Sequence, residues 1–280
     1  MATITFVHAH PDDEAILTGG TMAGLAEQGH RVVLVSATRG ELGETPAGLL
    51  GADESLAERR MAELAEAARR LGVARLVFLD YLDSGMADEP SNQRPGSFAS
   101  ADVDQAAGEL ASILVEESSD VVVIYDEHGG YGHPDHVQVH RVGLRAADLA
   151  ETPVVYMATV NRDFYWGLAS QIDNLDWEPP AGWLDGIDVM GEPAARLTTE
   201  VDVTPWIEAK RSTMMAHPSQ IAEDSFFLAM PEDVFAIVWG REWYIRLRPD
   251  RGPTSLSSLE TELFLGVAGA PGAPAVGADR

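Results

Sequence analysis

Residues 3–37, TITFVHAHPDDEAILTGGTMAGLAEQGHRVVLVSA, hold two short apolar runs on either side of an amphipathic segment. Thr3–His8 is a β-branched and aromatic run that ends in polar residues, which predicts a first strand. Pro11 breaks regularity just after it. Ile16–Gln28 predicts a helix offering Leu17, Met22, Leu25 and Ala26 to one face, with Gly29 as its stop. Arg31–Ala37 is a nearly continuous apolar run, as expected of a strand covered on both faces.

The same alternation continues outward. Glu54–Leu71 predicts a helix closed by Gly72, Arg75–Leu79 a third strand and Asp102–Glu117 a helix. Asp120–Tyr125 predicts a fourth strand, His136–Leu149 a helix and Pro153–Val160 a fifth strand. Polar Thr38–Gly51 and Pro/Gly/Ser-rich Ser84–Ser100 predict long loops. This alternation predicts an α/β fold: a Rossmann-like, mostly parallel sheet with helices on both faces, plus a smaller irregular C-terminal part. In that part, Asn161–Gly191 predicts an excursion over the sheet edge and Thr204–Ala216 a helix with Pro205 in its first turn. Val234–Arg248 predicts an apolar strand or hairpin. The expected organisation is a core over residues 1–160, a covering part of the same domain over 161–250, and a disordered low-complexity tail over 266–280.

The chain has 280 residues, long enough to bury a sizeable core without a disulfide or metal to hold it. It has no cysteine, which excludes disulfide scaffolds, zinc–thiolate centres and cysteine nucleophiles. No apolar run approaches the roughly 18 residues of a membrane-spanning helix. The opening MATITFVHAHPDDE lacks a basic region and meets charge too early for a secretory signal, so the cytoplasm is the expected location. A formal charge of −26, with Lys210 the only lysine, argues against a nucleic-acid surface, which needs clustered Lys and Arg. The acidic composition favours solubility and leaves a homo-oligomer open.

In a parallel sheet of this kind, ligands lie beyond the carboxyl ends of the strands. Four loops reach that edge: His8–Glu14, Arg39–Glu44, Tyr81–Gly85 and Asp126–His136. The first carries HAHPDDE and the last YGHPDH, each with imidazole and carboxylate a few residues apart. Those donors suit zinc or ferrous iron where thiolate is absent. A catalytic zinc takes about three protein ligands and leaves a position for water; two from the first loop and one from the last satisfy that count. Adjacent carboxylates also divide labour. In extended backbone Asp12 and Asp13 point in opposite directions, so one binds the metal while the other reaches a water as general base. Taken singly, a His-Pro-Asp at a strand end also reads as a plain turn in which Asp caps the next helix. Two of them at the ends of strands in one sheet favour a site. His8 reads equally as the buried end of a strand, and His140 as a residue that covers the core.

HAHPDDE followed by GGYGHPDH resembles the PIG-L/LmbE superfamily of metal-dependent N-deacetylases. The likeness continues through Thr38-Arg39-Gly40-Glu41, Arg60-Met61-Ala62-Glu63-Leu64, Asp83-Ser84-Gly85-Met86 and Ala216-His217-Pro218-Ser219-Gln220, over roughly residues 1 to 250. It is strongest toward the actinobacterial mycothiol-pathway branch, which contains a GlcNAc-inositol deacetylase and a mycothiol S-conjugate amidase. The resemblance implies that His10, Asp13 and His136 bind Zn2+, with Fe2+ as the other candidate. It implies that Asp12 is the general base and that protonated His133 stabilises the oxyanion or protonates the leaving amine. It further implies that Asp135 orients the His133 ring, that Tyr131 contacts the oxyanion, and that Arg60 and Asp83 hold sugar hydroxyls. His217 is a weaker candidate for the substrate pocket.

The expected reaction is removal of the N-acetyl group from an N-acetylglucosaminide, most simply GlcNAc-inositol, a small-molecule amino-sugar substrate. The amidase branch of the family it resembles tends to carry a lysine shortly after HPDDE; Ala15-Ile16-Leu17-Thr18 has none, so the resemblance implies the deacetylase branch. A deacetylase of a glycosylated natural product is the further alternative. A reading of another class is a non-catalytic, metal-containing sugar- or nucleotide-binding module. It rests on the loose glycine pattern Gly19-Gly20-Thr21-Met22-Ala23-Gly24, which lies inside a predicted helix and not in the turn where pyrophosphate binds. A two-metal esterase or phosphatase requires more bridging carboxylates than these loops offer.

Overall fold

The computed structural model describes residues 1–170, 177, 185–249 and 259–264. Among them, one sheet contains β1 (Thr3–His8), β2 (Arg31–Thr38), β3 (Arg75–Tyr81), β4 (Val121–Tyr125), β5 (Val154–Thr159), β6 (Thr199–Asp202) and β7 (Arg241–Arg248). The strand order is β3-β2-β1-β4-β5-β7-β6. The first five strands are parallel, and β7 runs antiparallel to β5 and β6.

The central strands are buried on both faces, and their side chains alternate between two cores. On β2, Val33, Val35 and Ala37 join residues of α3 (Val103–Glu116) and α5 (Pro134–Leu149). Val32 and Leu34 join residues of α1 (Gly19–Glu27) and α2 (Leu56–Arg70). Burial of one such side chain stabilises by about 1.5–3 kcal/mol, and a one-residue slip would misplace both sets at once. The order reverses between β1 and β4, so the switch point of the sheet lies between the HAHPDDE and YGHPDH loops.

Helix α2 starts with a capping box, in which the Ser55 hydroxyl accepts the Glu58 N–H and Glu58 accepts the Ser55 N–H. It carries Arg60 and Glu63 toward the sheet edge. Helix α4 (Gly129–Gly132) is a single kinked turn ahead of α5. Beyond β5 come α6 (Arg162–Ala169), α7 (Ile207–Met214) and α8 (Glu232–Trp239).

Three expectations change. The helix expected from Ile16 is preceded by one π-helical turn, Glu14–Thr18, before α1 starts at Gly19. Val234–Trp239, expected as strand or hairpin, is helical. Val234, Phe235, Val238 and Trp239 are buried at helical spacing, acidic Glu232 and Asp233 occupy the first turn, and Gly240 ends it. A short apolar run carries no periodicity that separates the two states. The Asn161–Gly191 excursion opens with α6, whose first turn is capped by Asn161. Its residues 171–176 and 178–184, and the 266–280 tail, lie outside the described residues. Among the described residues, no helix is long and apolar enough to cross a membrane.

Candidate active site

A cleft of about 980 Å³ opens at the carboxyl edge of the sheet. Its lining carries His10, Asp12, Asp13, Arg60, Asp83, Tyr131, His133 and His136. The lining also includes the apolar side chains of Ile16, Ile221, Phe226, Phe227 and Trp239. The loops after β1, β2, β3 and β4 all contribute.

Three donor atoms in this cleft face one another. His10 Nδ1 lies 3.5 Å from Asp13 Oδ2, Asp13 Oδ2 lies 3.3 Å from His136 Nε2, and His136 Nε2 lies 3.4 Å from His10 Nδ1. A tetrahedral ion with ligands at about 2.0–2.1 Å holds them about 3.3–3.4 Å apart. The opposite ring nitrogens are committed elsewhere. His136 Nδ1 donates to the Gly129 carbonyl at 3.1 Å, and His10 Nε2 donates to Asp135 Oδ2 at 3.1 Å. With those hydrogens placed, a proton on His10 Nδ1 or a cation among the three can satisfy the Asp13 carboxylate, and a bound metal would take the place of that proton. Burial alone would lower the pKa of His10. The carboxylates of Asp13, Asp135 and Asp83 outweigh it and hold the ring well above its ordinary value. Burial would raise Asp13, and His136 and His10 hold it well below the usual carboxylate range. The donor set and its geometry fit a divalent metal. A grouping of His10, His133 and His136 within 4.8 Å is also present, but His133 Nδ1 is already an acceptor for the Asp135 N–H at 3.1 Å.

The expected separation of Asp12 from Asp13 arises differently from the sequence reading. The backbone there is not extended: Asp12 has φ +118° and Asp13 is right-handed helical, starting the π turn. Asp13 turns inward, where its Oδ2 also accepts the His10 N–H at 2.9 Å. Asp12 Oδ1 lies 3.3 Å from Arg60 Nη2. Burial, only partly offset by the Arg60 guanidinium and reinforced by Asp13, raises the Asp12 carboxyl to about 6.

The YGHPDH segment is also a helix start. His133 caps α5 through its ring, and Pro134 and Asp135 occupy the first turn. The cap and the site thus share one local structure, with His133 in the position that the plain-turn reading gave to Asp. Burial, then the neighbouring rings of His10 and His136, lower His133 to about 4. Because Nδ1 accepts the Asp135 N–H, the ring carries its hydrogen on Nε2. The Asp135 carboxylate does not orient His133. It reaches across to His10, and Ser84 N donates to its Oδ2 at 2.9 Å while the Ser84 hydroxyl donates to Oδ1. Only the backbone N–H of Asp135 serves His133. Tyr131 is 46 % exposed at the cleft mouth, its ring edge-on to His136 and His133 at 5.0 and 6.2 Å. Desolvation of the phenol end within the cleft, then the Asp13, Asp12 and Asp83 charges, raise its pKa, so the phenol keeps its proton.

Arg60 and Asp83 line the cleft but are tied into its frame. Arg60 donates to the carbonyls of Gly40 and Pro11, each at 2.6 Å. A Cβ on Gly40, at φ +64°, would stand 2.3 Å from Arg60 Nη1, so glycine is required there. Asp83 accepts the Gly85 and Leu42 N–H groups at 2.9 and 3.1 Å, with its Oδ1 3.6 Å from His10 Nε2. His217 is not a pocket residue: it is fully buried, off the cleft wall, with Nε2 2.6 Å from Glu14 Oε1. His8 is buried too, its nitrogens 2.9 Å from the Tyr125 hydroxyl and 2.8 Å from the Thr18 hydroxyl. Burial lowers it to about 4, so it stays neutral.

Sequence reasoning assigned no role to Ser84, Glu14, Tyr125 or Asp126. Tyr125 stacks on His136 at 4.5 Å. Asp126 accepts the His128 and Gly130 N–H groups and shapes the loop that presents Tyr131. Their position at the ends of β1, β3 and β4 was the available signal. The glycine pattern that suggested a nucleotide module is buried in α1, where Glu242 accepts the Gly20 and Thr21 N–H groups and fills the helix N-terminus. No anion site is left there.

A family profile described as PIG-L: GlcNAc-PI de-N-acetylase matches residues 5–147. A 1D-myo-inositol 2-acetamido-2-deoxy-alpha-D-glucopyranoside deacetylase of Acidothermus cellulolyticus is 41 % identical over 278 residues, 95 % of each chain. One of the same name from Thermomonospora curvata is 40 % identical over 291 residues, covering 95 % of this chain and 97 % of that protein. Among solved structures, N,N'-diacetylchitobiose deacetylase from Pyrococcus horikoshii superposes with a TM-score of 0.59 at 21 % identity, covering 87 % of this chain and 83 % of that one, a likeness of fold. The matched profile spans the β1-to-α5 frame in which the three facing donors lie, and the near full-length relatives carry the likeness through β7, so the chain belongs to the PIG-L family and is a hydrolase of its N-deacetylase class.

Proposed function

We propose that this protein removes the acetyl group from GlcNAc-inositol in mycothiol biosynthesis, with zinc held by His10, Asp13 and His136. The observation that carries the reading is the 3.3–3.5 Å triangle of donor atoms with the Asp12 carboxylate beside it. The names of the near full-length relatives support the substrate. A zinc ion so bound supplies Lewis acidity and an acidified water.

The protein's own residues supply the rest. Asp12, with its carboxyl raised to about 6, is ionised at neutral pH yet basic enough to take a proton from water. Arg60 holds that carboxylate from one side. His133 presents Nε2–H to the cleft as a neutral donor where the amide oxygen gains charge, and Tyr131 adds its phenol from the mouth. Such preorganised donors are worth about 2.7–4 kcal/mol each. The proton that Asp12 gains is the one the departing amine needs. Asp83 and Arg60 form the polar wall against which sugar hydroxyls pack. The cytoplasm is the proposed location.

The apolar lining of Ile221, Phe226, Phe227 and Trp239 favours a second substrate reading, a glycoside or mycothiol conjugate with an apolar group. Acetate and amine release from GlcNAc-inositol, a mycothiol conjugate and free GlcNAc separates the readings. Preference for GlcNAc-inositol is the expected result, and turnover of the conjugate alone would replace it.

A further inference from the structure

Glu14 and His217 are fully buried, and neither lines the cleft. His217 Nε2 meets Glu14 Oε1 at 2.6 Å. The other oxygen of Glu14 accepts the backbone N–H of Asp12 at 3.0 Å. Asp12 stands at φ +118°, a conformation that a non-glycine residue keeps only where its surroundings over-determine it. The segment that carries His217 is itself fastened to the site. Ser219 donates to Glu63 from its hydroxyl at 2.6 Å and its N–H at 3.2 Å, and Glu63 lies one helical turn after Arg60. Gln220 Nε2 donates to the Glu44 carbonyl at 2.9 Å.

We propose that the buried His217–Glu14 pair is the positioning device for Asp12. His217 fixes the Glu14 carboxylate, Glu14 pins the Asp12 N–H, and the turn held in this way aims the Asp12 carboxylate at the cleft opposite Arg60. The contribution of the C-terminal half to catalysis is then made through the backbone of the first loop. The proposal rests on the reading of Asp12 as the base. His217 does not line the cleft and its hydrogen bond goes to Glu14, so it acts through another residue and is a positioning residue. Without its donor, Glu14 is a buried carboxylate with one oxygen unmet, free to leave the Asp12 N–H. The turn then relaxes toward an ordinary φ and carries the carboxylate away. A misplacement of about 1 Å costs on the order of a hundredfold in rate.

Three variants of the zinc-loaded enzyme test this: His217→Leu, His217→Gln and Glu14→Asp. Leucine removes the donor, glutamine returns an N–H near the Nε2 position, and aspartate retracts the carboxylate so that it cannot meet both partners. Metal content, kcat and KM are measured on GlcNAc-inositol, with free GlcNAc as the comparison substrate. The expected result is full metal content in all three, KM within about twofold of the parent, and kcat lowered roughly ten- to a hundredfold in His217→Leu and Glu14→Asp. In His217→Gln, kcat returns to within about threefold. An unchanged kcat in Glu14→Asp, or a loss carried by KM or by metal content, overturns the proposal whether or not His217→Leu folds. A parent that holds zinc yet releases no acetate from either substrate defeats the deacetylase reading itself; an active parent with unaffected variants defeats only the positioning role.

Discussion

Asp135→Asn separates two roles for one buried carboxylate. Its Oδ2 accepts from His10 Nε2 at 3.1 Å and from Ser84 N at 2.9 Å, and its Oδ1 takes the Ser84 hydroxyl hydrogen. Asparagine keeps the volume and loses the charge. If the amide oxygen stays on His10, the NH2 group faces the Ser84 hydroxyl, whose hydrogen loses its carboxylate acceptor while His10 keeps only a neutral one. If the amide flips, donor meets donor at His10. Asp83 cannot take over, because its oxygen stands 3.6 Å from His10 Nε2, too long for a hydrogen bond. Loss of such a partner behind a ligating histidine lowers metal affinity about 10–100-fold, which at 1.4 kcal/mol per factor of ten is about 1.4–2.8 kcal/mol. The assay is competition for zinc between the metal-stripped protein and a chelator of known affinity, with thermal unfolding of the same samples. The structure predicts a folded variant with Kd raised by that factor. A parental Kd with impaired turnover would refute the reasoning and return Asp135 to service of His133.

Asp12→Ala is expected to keep its metal and lose roughly 10²–10⁴-fold in turnover, whereas His136→Ala loses both; metal analysis beside initial rates checks this, and full turnover in Asp12→Ala removes it as the base. A base works ionised, so kcat/KM should fall as pH drops below about 6, the value to which burial raises the Asp12 carboxyl. The Arg60 guanidinium holds that carboxyl down, so Arg60→Met should move the acid limb of the pH–rate profile to higher pH, and a move to lower pH contradicts the assignment. Gly143 on α5 packs against β4, and a Cβ there would stand 2.4 Å from Ile124 Cγ2. Gly143→Ala should cost about 1–3 kcal/mol of stability, read as a lowered Tm in thermal unfolding.

Much of this is legible in the sequence. The buried runs of β1, β2, β4 and β5 show themselves because a strand covered on both faces must be apolar throughout. Once those strands are parallel, the loops with HAHPDDE and YGHPDH must share an edge. What stayed hidden depends on directions that residue order does not carry. The family resemblance implied that Asp135 orients His133, but α5 points the Asp135 carboxylate across to His10. The Asp12 and Asp13 side chains do diverge, but through a positive φ and a π turn and not through strand pleating. The resemblance made His217 a weaker candidate for the pocket, but its partner is the buried Glu14, 203 positions away. The run from Val234 to Trp239 has too few residues for its period to be read.

The most direct test is the anomalous diffraction of zinc in crystals of this protein. The account predicts one ion in contact with His10 Nδ1, Asp13 Oδ2 and His136 Nε2, with His133 Nδ1 still accepting the Asp135 N–H. An ion that ligates His133 while Asp13 stands clear would contradict it.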